Sequence, residues 1–131
     1  MYHYIQDFDY KKPYFTYLNY KNFEKQINYF KHNYNFFDCN NFNFFKGLNN
    51  INNKIFLTFD DGLSCHFKYV LKILKKNKLN AIFYIPAQPY LTKKILNVHK
   101  IHLILGTFGE KKSCKLLDKY ISKKMLDESK K

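Results

Sequence analysis

The stretch Ile55-Phe56-Leu57-Thr58-Phe59-Asp60-Asp61-Gly62 decides how the rest of the chain is read. Ile55 to Phe59 is a compact apolar run, bounded by Asn52-Asn53 before it and by Asp60-Asp61-Gly62 after it. Such a run suits a central strand buried on both faces. Ser64 then caps a helix whose inner face is Phe67, Val70, Leu71 and Leu74, while Lys68, Lys72, Lys75 and Lys76 stay solvated. A second apolar run, Ala81 to Ile85, is closed by Pro86 and Pro89. Strand, helix and strand over about 30 residues predict a βαβ unit with parallel strands and a right-handed crossover.

Upstream, residues 1 to 5 are aromatic and β-prone and read as a first strand ending before the polar stretch Gln6 to Pro13. Phe23, Ile27 and Phe30 fall at i, i+4 and i+7 between Asn22 and Asn33, the one-sided stripe of a helix. From Tyr34 to Asn53 aromatics alternate irregularly with Asn, giving a short strand or turn, a short helix near Asn41 to Lys46 and an Asn-rich loop. Downstream, Leu91 to Leu105 carries one or two short helices bearing His99 and His102, and Leu117, Ile121 and Met125 mark a helix over Ser113 to Lys124.

Composition limits the function classes. The hydrophobic share of 46% and aromatic share of 20% exceed those of a disordered chain, so folding is expected, and the length of 131 residues fits one domain or part of one. The formal charge of +13 by itself suggests a polyanion partner, but all 23 basic residues are Lys. Arg, whose fork favours phosphate and guanine, is absent, and the excess of Lys, Asn, Tyr, Phe and Ile is also what an AT-rich coding sequence produces. No nucleic-acid partner is expected. Cys39, Cys65 and Cys114 are odd in number and form no CxxC pair, which argues against a disulfide framework or zinc knuckle and for a reducing compartment. The start Met1-Tyr2-His3-Tyr4-Ile5-Gln6-Asp7 lacks the features of a signal peptide and no apolar run has the ~18 residues of a membrane span, so a cytoplasmic location is expected.

In a parallel α/β unit the ligand crevice lies at the carboxyl ends of the strands, where Asp60 and Asp61 stand. Neighbours on a regular strand point to opposite faces. Both carboxylates address one site only if the strand breaks here, and Gly62 permits a sharp bend. An isolated Asp-Asp-Gly is otherwise a common turn with a capping carboxylate.

Thr58-Phe59-Asp60-Asp61-Gly62 resembles the first motif of the polysaccharide deacetylase family, the NodB-like carbohydrate esterases. Met1-Tyr2-His3-Tyr4 is similar to the opening strand of many members, Asn22-Phe23-Glu24-Lys25-Gln26-Ile27 to the helix after it, and Asn80-Ala81-Ile82-Phe83-Tyr84-Ile85 to their second core strand. The similarity spans most of residues 1 to 105 and is strongest in 55 to 86. The resemblance implies an α/β fold, a deformed (β/α) barrel of the NodB type, here as a single partial domain over 1 to 131. Such a barrel normally needs roughly 200 residues or more, so its C-terminal half is expected to be missing and a complementing C-terminal fragment is an implied partner.

The implied activity is metal-dependent removal of N-acetyl or O-acetyl groups from a surface or capsular carbohydrate. The implied cofactor is a divalent metal, zinc in many members. By position, Asp60 is the general base and Asp61 a metal ligand. The family's H-[ST]-x-x-H ligand motif is not found; His99-Lys100-Ile101-His102 is the nearest candidate, spaced by three instead of four. Both spacings leave two side chains on one helix face. Val98 to His102 also resembles a phrase that some members carry ahead of their metal motif. His3, Thr58, Gly62 and His66 are expected around the same pocket. The alternative is an inactive remnant or non-catalytic carbohydrate-binding module. Asp-x-Asp phosphatases of the haloacid dehalogenase type are excluded because the carboxylates are adjacent, and response-regulator receivers because no second strand ends in Asp.

Overall fold

The computed structural model describes residues 1–39, 54–118 and 120. The chain divides into two compact units, Met1–Asp7 with Tyr17–Thr92, and Phe8–Thr16 with the segment from Lys93 onward.

The first unit is built around one strand. β5 (Thr58–Asp60) pairs in parallel with β6 (Ile82–Tyr84), in the register Thr58 to Ile82, Phe59 to Phe83 and Asp60 to Tyr84. On the opposite edge, Tyr2 forms a parallel bridge to Phe59, its N–H donating to Thr58 O (2.9 Å) and its carbonyl accepting from Asp60 N–H (3.0 Å). The strand is thus central, as its apolar run predicts. Phe59 is fully buried and forms the hub of the aromatic core: it stacks on Phe83 (5.0 Å) and Tyr2 (5.4 Å) and meets Phe23 edge-on (5.9 Å). Ile5, Phe23, Ile27 and Val70 are also fully buried, each such side chain contributing roughly 1.5–3 kcal/mol.

Two further parallel pairs complete the strands: β1 (Ile5–Gln6) with β2 (Leu18–Asn19), and β3 (Asn35–Phe36) with β4 (Lys54–Ile55). The expected continuous strand from Ile55 to Phe59 is therefore split. Its first residue, Ile55, pairs with β3 and its last two, Thr58 and Phe59, with β6, and Phe56-Leu57 is the step between partners, with Leu57 only 3% exposed. The described strands form three two-stranded sheets that remain open, not the closed wall of a barrel.

α1 (Tyr20–Asn33) follows the predicted stripe, with Phe23 and Ile27 buried and Phe30 half-buried. Asn19 caps it by accepting from Lys21 N–H (2.9 Å), and Lys31 and His32 sit at the negative end of its dipole. The helix expected near Asn41 to Lys46 and the Asn-rich loop lie outside the described residues.

The helix after Gly62 departs from expectation. It opens at Leu63, whose carbonyl accepts from His66 N–H (2.9 Å), and Cys65, at the start of the π turn, makes no side-chain cap. His66–Val70 is a π-helical turn that leads into α2 (Leu71–Asn77). A π turn accommodates one extra residue and rotates everything before it. Phe67, expected inside, is 77% exposed, and His66 takes the inward position at 3%. Val70, Ile73 and Leu74 then face the core. α2 ends with Lys78 in the left-handed region (φ 54°), its N–H shared between Leu74 O and Lys75 O. Lys76 pairs with Glu24 of α1 at 2.8 Å on the surface. After β6, α3 (Ala87–Thr92) contains Pro89 in its first turn, where the missing N–H costs nothing.

The second unit holds α4 (Asn97–Phe108) and α5 (Glu110–Asp118), joined at Gly109. Gly109 has φ 72° and ψ 168°, a conformation essentially confined to glycine. Phe15 packs on Gly106 so closely that an added Cβ would stand 2.5 Å from its ring, and Tyr14 N–H donates to Gly106 O (2.9 Å). The buried Ser113 hydroxyl donates to Gly109 O (2.7 Å). Of the helix expected over Ser113 to Lys124, Ile121 and Met125 lie outside the described residues.

Candidate active site

At the carboxyl end of β5 the strand breaks. Asp61 has φ 74° and Gly62 φ 55°, two consecutive residues in the left-handed region. Asp tolerates that region better than most side chains and Gly adopts it freely. The reversal removes the up-down alternation that would have sent the two carboxylates to opposite faces. Asp60 and Asp61 instead line one open cavity of about 410 Å³ with Met1, Tyr84, Ile85 and Pro86. Gly62 also sits tight beneath Ile85, where an added Cβ would come within 3.3 Å of Cγ2.

His3 joins the pair. Its Nε2 lies 3.7 Å from Asp60 Oδ2 and 3.8 Å from Asp61 Oδ2, with the imidazole 43% exposed and each carboxylate 22% exposed. The Oδ1 of Asp60 is buried and has no hydrogen-bond partner in the described residues. Tyr4 stands near enough that Asp61 and Cys65 add to the effect of burial, and its hydroxyl is pushed up to about 12. Burial also raises the thiol of Cys65. It is a free cysteine, as are Cys39 and Cys114.

His66 lies behind this constellation. Its Nε2 is 2.6 Å from the His3 carbonyl, and a carbonyl only accepts, so Nε2 carries the proton. The ring packs edge-on against Phe59 (5.4 Å) and tilted against Phe83 (5.8 Å), and its Nδ1 is buried without a partner among the described residues. Burial holds its pKa below 6.5.

A family model described as polysaccharide deacetylase matches residues 48–113. The chain belongs to the polysaccharide deacetylase family. No curated protein matches the chain, and no solved structure does.

The matched residues include the carboxylate turn, from Thr58 in β5 through Asp60 and Asp61 to Gly62. The structure brings His3 to that turn. His99 and His102 belong to the second unit, where they sit one turn apart on α4 with ring centroids 6.3 Å from each other. The family implies a divalent metal. Among the described residues, no group of three or more His, Cys, Asp or Glu side chains is arranged to hold a metal ion. Asp61 suits such an ion as an oxygen donor, but the described residues do not assemble a complete shell.

Of the four residues expected around the pocket, Thr58 and Gly62 frame the turn, His3 approaches the carboxylates and His66 is buried beneath His3. The cavity wall comes instead from Tyr84, Ile85 and Pro86. Parallel strands end on the same side, so the residues after β6 necessarily flank the crevice at the end of β5. That topological signal was available in Ala81 to Pro86. Among the described residues, no helix is long and apolar enough to cross a membrane.

Proposed function

We propose that this chain is a carbohydrate deacetylase, hydrolysing an N-acetyl or O-acetyl group with Asp60 as general base and Asp61 as a ligand to a divalent cation, zinc by family preference. The parallel pair β5 and β6 is read as part of the family's deformed barrel. The observation that supports the reading is the left-handed break at Asp61-Gly62, which turns two adjacent carboxylates toward one cavity.

Asp60 is suited to accept a proton from the attacking water as the carbonyl becomes tetrahedral, and to return it to the leaving amine or alkoxide, releasing acetate. Tyr84, Ile85 and Pro86 offer an aromatic and apolar wall for the C–H face of a sugar ring. A bound zinc ion would supply carbonyl polarisation and a more acidic water. Asp61 is the residue of the first unit proposed to ligate it.

In an acetate-release assay on an acetylated chito-oligosaccharide, Asp60→Asn is expected to lower turnover by about 10²-fold or more. Asp61→Ala is expected to reduce the zinc content of the purified chain. Folded wild-type protein that neither retains zinc nor releases acetate would overturn the reading. A non-catalytic carbohydrate-binding module is the second reading, favoured because no three-donor group occurs among the described residues. It predicts oligosaccharide binding with no acetate released and no effect of Asp61→Ala.

A further inference from the structure

Resting on that reading, one residue of the opening segment acquires a role. We propose that His3 is a positioning residue of the site, holding Asp60 and Asp61 in a common orientation, and that His66 fixes His3 through its backbone carbonyl.

The first support is the way the backbone around His3 is tied. The Tyr2 N–H donates to Thr58 O and the Tyr2 carbonyl accepts from Asp60 N–H, at 2.9 and 3.0 Å. The His3 carbonyl accepts from His66 at 2.6 Å, and the Tyr4 carbonyl accepts from Leu18 N–H at 2.9 Å. Three successive carbonyls are thus committed to three different elements: the central strand, the π turn and β2. Only the side chain of His3 points to a place of higher exposure, and it points at both carboxylates.

The second support is chemical. The Nε2 edge of the His3 imidazole stands 3.7 Å from Asp60 Oδ2 and 3.8 Å from Asp61 Oδ2, so a single polar ring edge faces an acceptor oxygen of each carboxylate and favours a shared orientation. The third is the choice of His at position 66. Packing against Phe59 and Phe83 alone would favour Leu or Phe, which leave no buried nitrogen without a partner. What imidazole adds is the Nε2–H that reaches His3 O. The π turn that begins at His66 is what brings this ring inward in place of Phe67.

The test uses the full chain with 15N-labelled histidine. Long-range 1H–15N spectra give separate ring signals for the five His residues, and His3→Gln assigns that of His3. Asp60→Asn and Asp61→Asn are each expected to shift the His3 ring signal while leaving that of exposed His32 on α1 in place. His66→Leu is expected to shift it too, and to lower kcat about tenfold with KM within about twofold, as misplacement of a catalytic group does. His66→Gln, which keeps an N–H donor, recovers part of that loss.

A His3 ring signal indifferent to both Asp→Asn changes would overturn the proposal. So would His66→Leu that lowers the thermal midpoint but leaves the His3 signal and kcat unchanged. If His66→Leu does not fold, His66→Gln and the two Asp variants decide. If the wild-type chain releases no acetate, the deacetylase reading falls, while the ring signals still judge the placement of His3.

Discussion

At the scale of single residues, His66 makes a consequence of burial measurable. It is 3% exposed, its Nε2–H is committed to His3 O and its Nδ1 lies among aromatic rings, so a second proton would be buried without a partner. Burial accordingly lowers its pKa, although the Asp61 and Asp60 charges pull the other way. In the unfolded chain the ring protonates near 6.5. A group whose folded pKa is depressed binds more protons when unfolded, so stability rises with pH through the window between the two values. His66 is therefore expected to contribute fully above 6.5 and to lose its contribution as pH falls below that. Urea unfolding of the wild type and of His66→Gln between pH 7.5 and 5 checks this: the pH slope should be shallower in the variant. The Asp-Asp-Gly turn belongs to the same scale, and it was legible. Its apolar run, carboxylates and glycine are contiguous, and the required strand break is seen at Asp61 and Gly62. The approach of His3 was not legible, since no spacing rule relates position 3 to positions 60 and 61.

Elements show where local pattern prevails and where packing overrides it. α1 was readable because Phe23 and Ile27 obey a 3.6-residue period and nothing interrupts it. The segment after Gly62 was misread on its inner face because periodicity assumes a continuous α-helix, and the π turn at His66–Val70 shifts the register by one residue. This gives a sharp contrast between neighbouring positions. With Phe67 77% exposed, Phe67→Lys should change stability by no more than about 0.5 kcal/mol. Val70→Ala, at a fully buried position, should cost about 1–3 kcal/mol, from the lost methyl groups and the cavity left behind. Denaturant midpoints of both variants measure the difference. A regular α-helix from Ser64 would bury Phe67, and Phe67→Lys would then be the more damaging change.

For the molecule as a whole, the parallel β5–β6 pairing came from sequence, whereas the splitting of the Ile55 to Phe59 run between two sheets did not. An apolar run records burial but not which neighbour each residue pairs with. The charge of +13 is also a whole-molecule property, arising from 23 basic and 10 acidic residues. Like charges spread over one small chain repel, and salt screens them with a Debye length of about 30 Å at 0.01 M and about 8 Å at 0.15 M. The thermal midpoint is thus expected to rise when NaCl increases across that range, read by circular dichroism. Ligand binding measured over the same series separates two meanings of the charge. A Lys-rich surface that grips a polyanion releases counterions, so log K falls linearly with log salt and is indifferent to Asp60→Asn. A neutral acetylated oligosaccharide seated against Asp60, Asp61 and Tyr84 releases none. Its affinity should stay nearly flat with salt by calorimetry and should fall when Tyr84→Ala removes the aromatic wall. A steep salt slope that ignores Asp60 and Tyr84 would transfer the binding function from the carboxylate turn to the lysines.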